Sequence, residues 1–196
     1  TCALPISATK FSDGQSNPTF MLEAPSGRYV LRRKPPGQLL KSAHAVDREF
    51  RVMSALADTD VPVARTYLLC EDENVIGSMF YVMEYLDGRV LWDAQLADMD
   101  TAQRGAIYAE MCRVLACLHK VDVAAVGLED FGKPGNYYSR QISRWSGQYR
   151  ASETETIHAM DALIDWLPAN LPAEDGLVSL VHGDYRMDNM MFHAVE

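Results

Sequence analysis

The stretch Val181-His182-Gly183-Asp184-Tyr185-Arg186-Met187-Asp188-Asn189-Met190-Met191-Phe192 decides how this chain is read. An apolar run at residues 177–181 leads into a His-Gly-Asp turn. Asn189 follows Asp184 after four intervening residues, and a second apolar run closes the stretch. A carboxylate that can orient a hydroxyl and accept its proton, with an amide oxygen nearby to ligate Mg²⁺, is what a loop needs to help move a phosphoryl group. The same residues also describe an Asp-capped turn followed by a solvent-facing Asn. The elements upstream decide between the two.

The chain has 196 residues, enough for one domain or two small lobes, and 48% of them are hydrophobic, as in ordinary globular proteins. A net charge of −9 argues against a nucleic-acid partner, which would call for a basic footprint. No run approaches the ~20 apolar residues of a membrane span, and no signal-peptide pattern opens the chain. The four cysteines, Cys2, Cys70, Cys112 and Cys117, form no Cys-x-x-Cys pair. They read as buried, reduced thiols of a cytoplasmic protein rather than as a zinc site. The ten methionines read as core filler. His44, His119, His158 and His193 have no ligand spacing, and His182 is expected to support its loop.

Along the chain, residues 10–22 read as strand, turn and strand, with Ser12-Asp13-Gly14-Gln15-Ser16-Asn17 as the turn. Residues 28–33 form a further strand, stopped by Pro35-Pro36-Gly37. Ser42 is placed to cap a helix running to about Ala57, with Val46, Phe50, Met53 and Ala57 on one face. Residues 63–70 and 78–86 read as strands, and Asp87-Gly88 as the link between lobes. Asp100 with Gln103 forms a capping-box pattern ahead of a helix to about Lys120, striped by Ile107, Met111, Leu115 and Leu118. Two more helices are expected near residues 138–149 and 154–167, the second ended by Pro168. Residues 177–181 are read as the strand entering the catalytic loop. Strands first and helices second indicate an α+β molecule, with a small lobe over residues 1–86 and a helical lobe over 87–196.

Several upstream residues have a place if the loop is catalytic. The 12–17 turn can fold over phosphates through backbone N–H groups and hydroxyls, Ser16 among them, although an ordinary hairpin reads the same way. Alternation along Tyr29-Val30-Leu31-Arg32-Arg33-Lys34 puts Arg32 on the face of Val30 and turns Arg33 away. With Val30 under an adenine, Arg32 is the cation aimed at phosphates; a solvated basic strand end is the plain alternative. Glu49 lies between Val46 and Met53 on the following helix, where it could pair with Arg32. Phe80-Tyr81-Val82-Met83-Glu84-Tyr85-Leu86 looks like a hinge strand. Met83 would border the purine, and the backbones of Glu84 and Leu86 would offer an acceptor and a donor.

Taken together and in this order, these residues resemble the aminoglycoside phosphotransferase and choline kinase-like family. The closer resemblance is to the phosphotransferase domain fused to acyl-CoA dehydrogenases and to its stand-alone bacterial relatives. It rests on Phe11-Ser12-Asp13-Gly14-Gln15-Ser16-Asn17-Pro18-Thr19-Phe20, on Tyr29-Val30-Leu31-Arg32-Arg33-Lys34-Pro35-Pro36-Gly37 and on Ala43-His44-Ala45-Val46-Asp47-Arg48-Glu49.

The resemblance implies a bilobal, protein-kinase-like α+β fold and ATP-dependent transfer of a γ-phosphoryl group to a small-molecule hydroxyl. Asp184 would be the catalytic carboxylate and Asn189 the metal ligand. Ser16, Val30, Arg32, Glu49, Met83, Glu84 and Leu86 would form the nucleotide site, with ATP and Mg²⁺ as cofactors. The implied acceptors are hydroxyacyl-CoA-like compounds, aminoglycosides or amino alcohols, with no nucleic acid and no membrane. Tyr137, Tyr138, Arg140, Arg144 and Trp145 would border the acceptor, or form an exposed helix. The family's second metal-binding Asp lies beyond the catalytic loop, and the sequence stops before it. The chain is therefore expected to be a C-terminally truncated, inactive fragment with exposed apolar surface. A nucleotide-binding pseudokinase or regulatory module is the alternative. A protein kinase is disfavoured by His182-Gly183-Asp184. Oligomeric state is not readable.

Overall fold

The computed structural model describes residues 6–12, 17–35, 45–133, 135–173 and 176–193. It divides into two compact units, Thr1–Val121 with Val181–Glu196, and Asp122–Leu180. The sequence boundary at residues 86 and 87 falls inside the first unit. The C-terminal segment returns there, and Phe192 and His193 pair with residues just past that point.

The first unit is built on a five-stranded antiparallel sheet of β1 (Ser7–Lys10), β2 (Thr19–Ala24), β3 (Gly27–Arg33), β4 (Thr66–Cys70) and β5 (Phe80–Glu84). Their order is β1-β2-β3-β5-β4. β1 starts earlier than the sequence pattern indicated, and β4 starts later than residue 63. Register puts Thr19, Arg32 and Tyr81 in one cross-strand row, and Met21, Val30 and Met83 in the row two residues along. Both rows lie on one face, because side chains alternate along each strand. Val30 and Tyr81 are buried.

Helix α1 (Val46–Leu56) contacts β4 and β5. Val46 and Leu56 are buried. Phe50 meets Tyr81 edge to face at 6.1 Å. The expected stripe is shifted at its end, since Leu56 is buried and Ala57 is the exposed C-cap. Ser42 lies outside the described residues. The N-cap of the described helix is Ala45, with no side-chain cap hydrogen bond.

Helix α2 (Thr101–Lys120) begins with the expected capping box: Asp100 accepts from the Gln103 N–H at 2.8 Å, and the Gln103 side chain accepts from the Asp100 N–H at 3.1 Å. Ile107 joins Leu96 and Met187 in a buried cluster flanked by Leu91, Met99, Met111 and Phe192. Strand β6 (Gly88–Arg89) pairs antiparallel with β7 (Phe192–His193). Apolar packing and a two-stranded ladder thus fix the segment after Asp184.

The second unit holds α3 (Tyr137–Ser152) and α4 (His158–Ala169), which contact one another. Arg150 bridges Glu153 and Asp161 at 3.2 and 2.5 Å. Neither helix has a fully buried residue, and Trp145 and Trp166 are both more than half exposed. Pro168 does not end α4 but lies within its last turn. There it removes one N–H from the helical ladder, one residue before the helix stops.

Two expectations are corrected. Residues 177–181 form no strand: among the described residues no strand pairs with them, and Leu177 is 84% exposed. An apolar run is only half of a strand; the other half is a ladder partner. The cysteines are not uniformly buried either. Cys112 is exposed, and Cys70 and Cys117 are partly so, all three as free thiols. Among the described residues no helix is long and apolar enough to cross a membrane.

Candidate active site

The site begins with the row Thr19, Arg32, Tyr81. Strand alternation brings these polar groups to the face where Glu49 arrives from α1. Arg32 Nε donates to Glu49 Oε2 at 2.7 Å, and Nη2 reaches Oε1 at 3.4 Å. Arg32 Nη1 donates to Thr19 Oγ1 at 3.3 Å. Arg33 turns away and reaches the Lys34 carbonyl at 3.5 Å, as the alternation required. The Nε/Nη2 edge therefore faces Glu49, leaving N–H groups at the Nη1/Nη2 end of the planar fork for an anion.

Glu49 has two partners that the sequence did not disclose. Asn17 Nδ2 donates to Oε1 at 2.8 Å, and the Tyr81 hydroxyl donates to Oε2 at 3.1 Å. Asn17 and Tyr81 are 3% and 2% exposed. Burial, then the adjacent Glu49 charge, pushes the Tyr81 phenol well above its ordinary range, so it remains a donor. The available signal was alternation: Tyr81 shares the face of Met83, and Thr19 is the strand residue nearest Asn17.

Val30 and Met83 are register partners and form an apolar floor on this same face. Glu84, beyond Met83, is fastened to Arg65: its N–H donates to the Arg65 carbonyl at 2.8 Å, and its carboxylate accepts from the Arg65 N–H at 3.1 Å. Arg28 stacks 4.2 Å from the Tyr85 ring centre and lies 3.8 Å from Asp87. The exposed Leu86 sits between these two residues. Ser16 lies outside the described residues.

The loop from His182 to Asn189 alternates inward and outward. Tyr185 donates its hydroxyl to the Met111 carbonyl at 2.6 Å, and Met187 is buried against α2. Asp184 and Arg186 point outward between them, with side chains 66% and 60% exposed. Gly183 takes φ +83°, which favours a residue without a side chain, and turns the chain so that Asp184 faces out. His182 Nδ1 accepts from the Asp184 N–H at 3.3 Å, and its ring meets Tyr185 at 5.5 Å. Histidine is thus a support of the turn.

A short 3-10 helix, Met187–Asn189, curls the chain back. It brings Asn189 Nδ2 to within 2.7 Å of Asp184 Oδ2 and 3.0 Å of the Asp184 carbonyl. The two candidate residues of the opening stretch therefore touch. Arg186, which the sequence reading passed over, lies 3.6 Å from Asp184 Oδ1 and also hydrogen-bonds Asp188. Among the described residues no group of three or more His, Cys, Asp or Glu side chains is placed to hold a metal. In the second unit Tyr137, Tyr138 and Trp145 are exposed, with Arg144 stacked 5.4 Å from the Trp145 ring centre.

A sheet-borne cation–carboxylate pair, an apolar floor beside it and a His-Gly-Asp loop closed by an Asn define the class: an α+β phosphotransferase of kinase-like fold. Comparison with known proteins makes this particular. The model of the phosphotransferase enzyme family, APH, matches residues 7–196, and the chain belongs to that family. It is 52% identical over 200 residues to "Probable acyl-CoA dehydrogenase IBR3" of Arabidopsis thaliana, covering 96% of this chain and 24% of that protein. It is 48% identical to acyl-CoA dehydrogenase family member 10 of Mus musculus, covering 96% of this chain and 18% of the other. The chain thus spans a quarter or less of these relatives. A crystal structure from Ralstonia eutropha JMP134, described as a candidate aminoglycoside phosphotransferase, superposes with TM-score 0.89 at 58% identity. That match covers 99% of this chain and 56% of the other. The macrolide 2′-phosphotransferase MphH of Brachybacterium faecium shares the fold, with TM-score 0.63 at 16% identity over 97% of this chain and 64% of its own.

Proposed function

We propose that this domain catalyses ATP- and Mg²⁺-dependent transfer of the γ-phosphoryl group to a hydroxyl of a small molecule. The observation that carries the reading is the Asp184–Asn189 contact at 2.7 Å on a loop held by Tyr185 and Met187. Asp184 orients the acceptor hydroxyl and takes its proton. The hydroxyl oxygen forms a bond to the γ-phosphorus as the bond to the β,γ-bridging oxygen breaks, and ADP leaves. Arg32, braced by Glu49, lies against phosphate oxygens. Val30 and Met83 border the adenine, whose edge meets the backbone carbonyl of Glu84 and the N–H of Leu86.

The described residues offer Mg²⁺ one ligand, which it would share with phosphate. The Asn189 amide nitrogen is turned to Asp184, so its carbonyl oxygen is the ligand atom left for a hard cation. When bound, the ion supplies positive charge at the phosphate oxygens. Most of the rate enhancement then comes from positioning and electrostatics rather than covalent chemistry.

The acceptor classes to test are those the sequence resemblance implies: hydroxyacyl-CoA-like compounds, aminoglycosides and amino alcohols. The experiment measures ATP consumption and phosphorylated product with this panel, for the 196-residue chain and for a chain extended to the length of the Ralstonia relative. Acceptor-dependent turnover by the extended chain supports the reading. Nucleotide binding without turnover across the panel would instead favour a binding module.

A further inference from the structure

Arg32 and Glu49 alone would make an ordinary ion pair, and each is about one-third exposed. Glu49, however, is not held by Arg32 alone. Its Oε1 takes Asn17 Nδ2 and Arg32 Nη2; its Oε2 takes Arg32 Nε and the Tyr81 hydroxyl. Each carboxylate oxygen has one contact that does not come from arginine. Burying an amide and a phenol is costly unless their polar atoms are partnered, and both are partnered by this one carboxylate. Arg32 is fixed on its far side as well. Thr19 Oγ1 accepts from Nη1 at 3.3 Å and donates to the Asn17 carbonyl at 3.0 Å. Asn17 therefore touches both supports of the guanidinium: its side chain holds Glu49, and its backbone holds Thr19.

This arrangement has a consequence for an anion arriving at Arg32. If Asn17 and Tyr81 were absent, a phosphate competing for the guanidinium would leave Glu49 free to move and Arg32 free to turn with it. With both present, the carboxylate stays where it is whichever way the arginine is drawn. The Nη1/Nη2 end of the fork then keeps one direction, and the cost of orienting it has been met in advance.

We propose that Asn17 and Tyr81 are positioning residues for phosphate binding: they hold Glu49 independently of Arg32 and so fix the direction in which Arg32 meets the nucleotide. The inference rests on the phosphotransferase reading above and names two residues that reading does not use.

The test separates phosphate binding from binding of the base. Calorimetry on the 196-residue chain measures Kd for Mg·ATP and for adenosine. The variants are Tyr81→Phe and Asn17→Asp. Tyr81→Phe keeps the ring against Phe50 and removes only the hydroxyl. It should weaken Mg·ATP by about five- to tenfold, the net scale of one ordinary hydrogen bond, while adenosine changes less than about twofold. Asn17→Asp sets two carboxylates against each other and should weaken Mg·ATP more. Where Asn17→Asp does not fold, Tyr81→Phe carries the test alone. Folded variants with unchanged Mg·ATP affinity overturn the inference. So does equal weakening of ATP and adenosine, which marks a general structural role. A parent chain that binds no nucleotide overturns the phosphotransferase reading itself, and this inference with it.

Discussion

Gly88→Ala tests whether the β6–β7 ladder holds the catalytic loop. A Cβ at residue 88 would lie 2.5 Å from Met191 Cγ, 3.0 Å from Met191 Sδ and 2.7 Å from the Phe192 carbonyl oxygen. Met191 is half exposed and flexible, so its side chain can swing away cheaply. The Phe192 carbonyl cannot: it belongs to β7, in the ladder that pairs Gly88 with His193 and Arg89 with Phe192. Relief therefore means separating two short strands. Overpacking of this kind costs about 1–3 kcal/mol. So short a ladder is expected to open locally instead of unfolding the unit. At about 2 kcal/mol, the open population near residues 88–89 and 192–193 rises roughly thirtyfold. Asn189 sits just before this anchor, so its contact with Asp184 should loosen and turnover of an active, extended chain should fall. The assay is hydrogen exchange resolved to these segments, alongside thermal unfolding. Gly105→Ala is the control, because nothing lies within 4 Å of the added carbon and the position is inside α2. It should stabilise by about 0.5–1 kcal/mol. If Gly88→Ala leaves exchange at both strands unchanged, the clash is absorbed elsewhere and the anchoring argument is wrong.

Two further outcomes follow from the site. In an active, extended chain, Asp184→Asn should lower turnover by about 10²-fold or more with nucleotide affinity little changed, as for a lost proton acceptor; full retention of turnover would remove Asp184 from that role. Tyr81 gives a pH signature: its phenol titrates far above the ordinary value of 10.0 when folded and near that value when unfolded. Its contribution to stability is thus complete below about pH 10 and lost as pH climbs towards the folded value, by up to ~1.4 kcal/mol per pH unit. Urea unfolding from about pH 9 to about pH 11 should show the parent losing stability faster than Tyr81→Phe; parallel curves would refute the proton linkage.

What was legible in the sequence shares one property: a short sequence separation or a fixed local period. The Asp100–Gln103 capping box could be read because its members are three residues apart. Alternation alone selected Arg32 over Arg33, and helical spacing placed Glu49 beside the core. The Asp184–Asn189 contact needs only one tight loop. The failures mark where local information ends. Residues 177–181 have the composition of a strand, but pairing is a property of two segments, and no described strand runs beside them. At the end of α4, Pro168 is a helix stop by type, yet the helix runs through it to Ala169.

Tyr81 is the most instructive case. Within Phe80-Tyr81-Val82-Met83 it looks like one more apolar strand residue, and by burial it is one. Its hydroxyl acquires meaning only because Glu49, 32 residues away, ends beside it. The pair Arg32 and Glu49 could be anticipated from two elements, each with its own periodicity. The third and fourth contributors, Asn17 and Tyr81, depend on how β2, β3, β5 and α1 are stacked together, which no single period encodes. Local patterning thus assigns faces to elements, whereas the chemistry of the site depends on which faces meet. That is why the contact between Asp184 and Asn189 could be anticipated within one loop, while the support of Arg32 emerged only from the folded sheet.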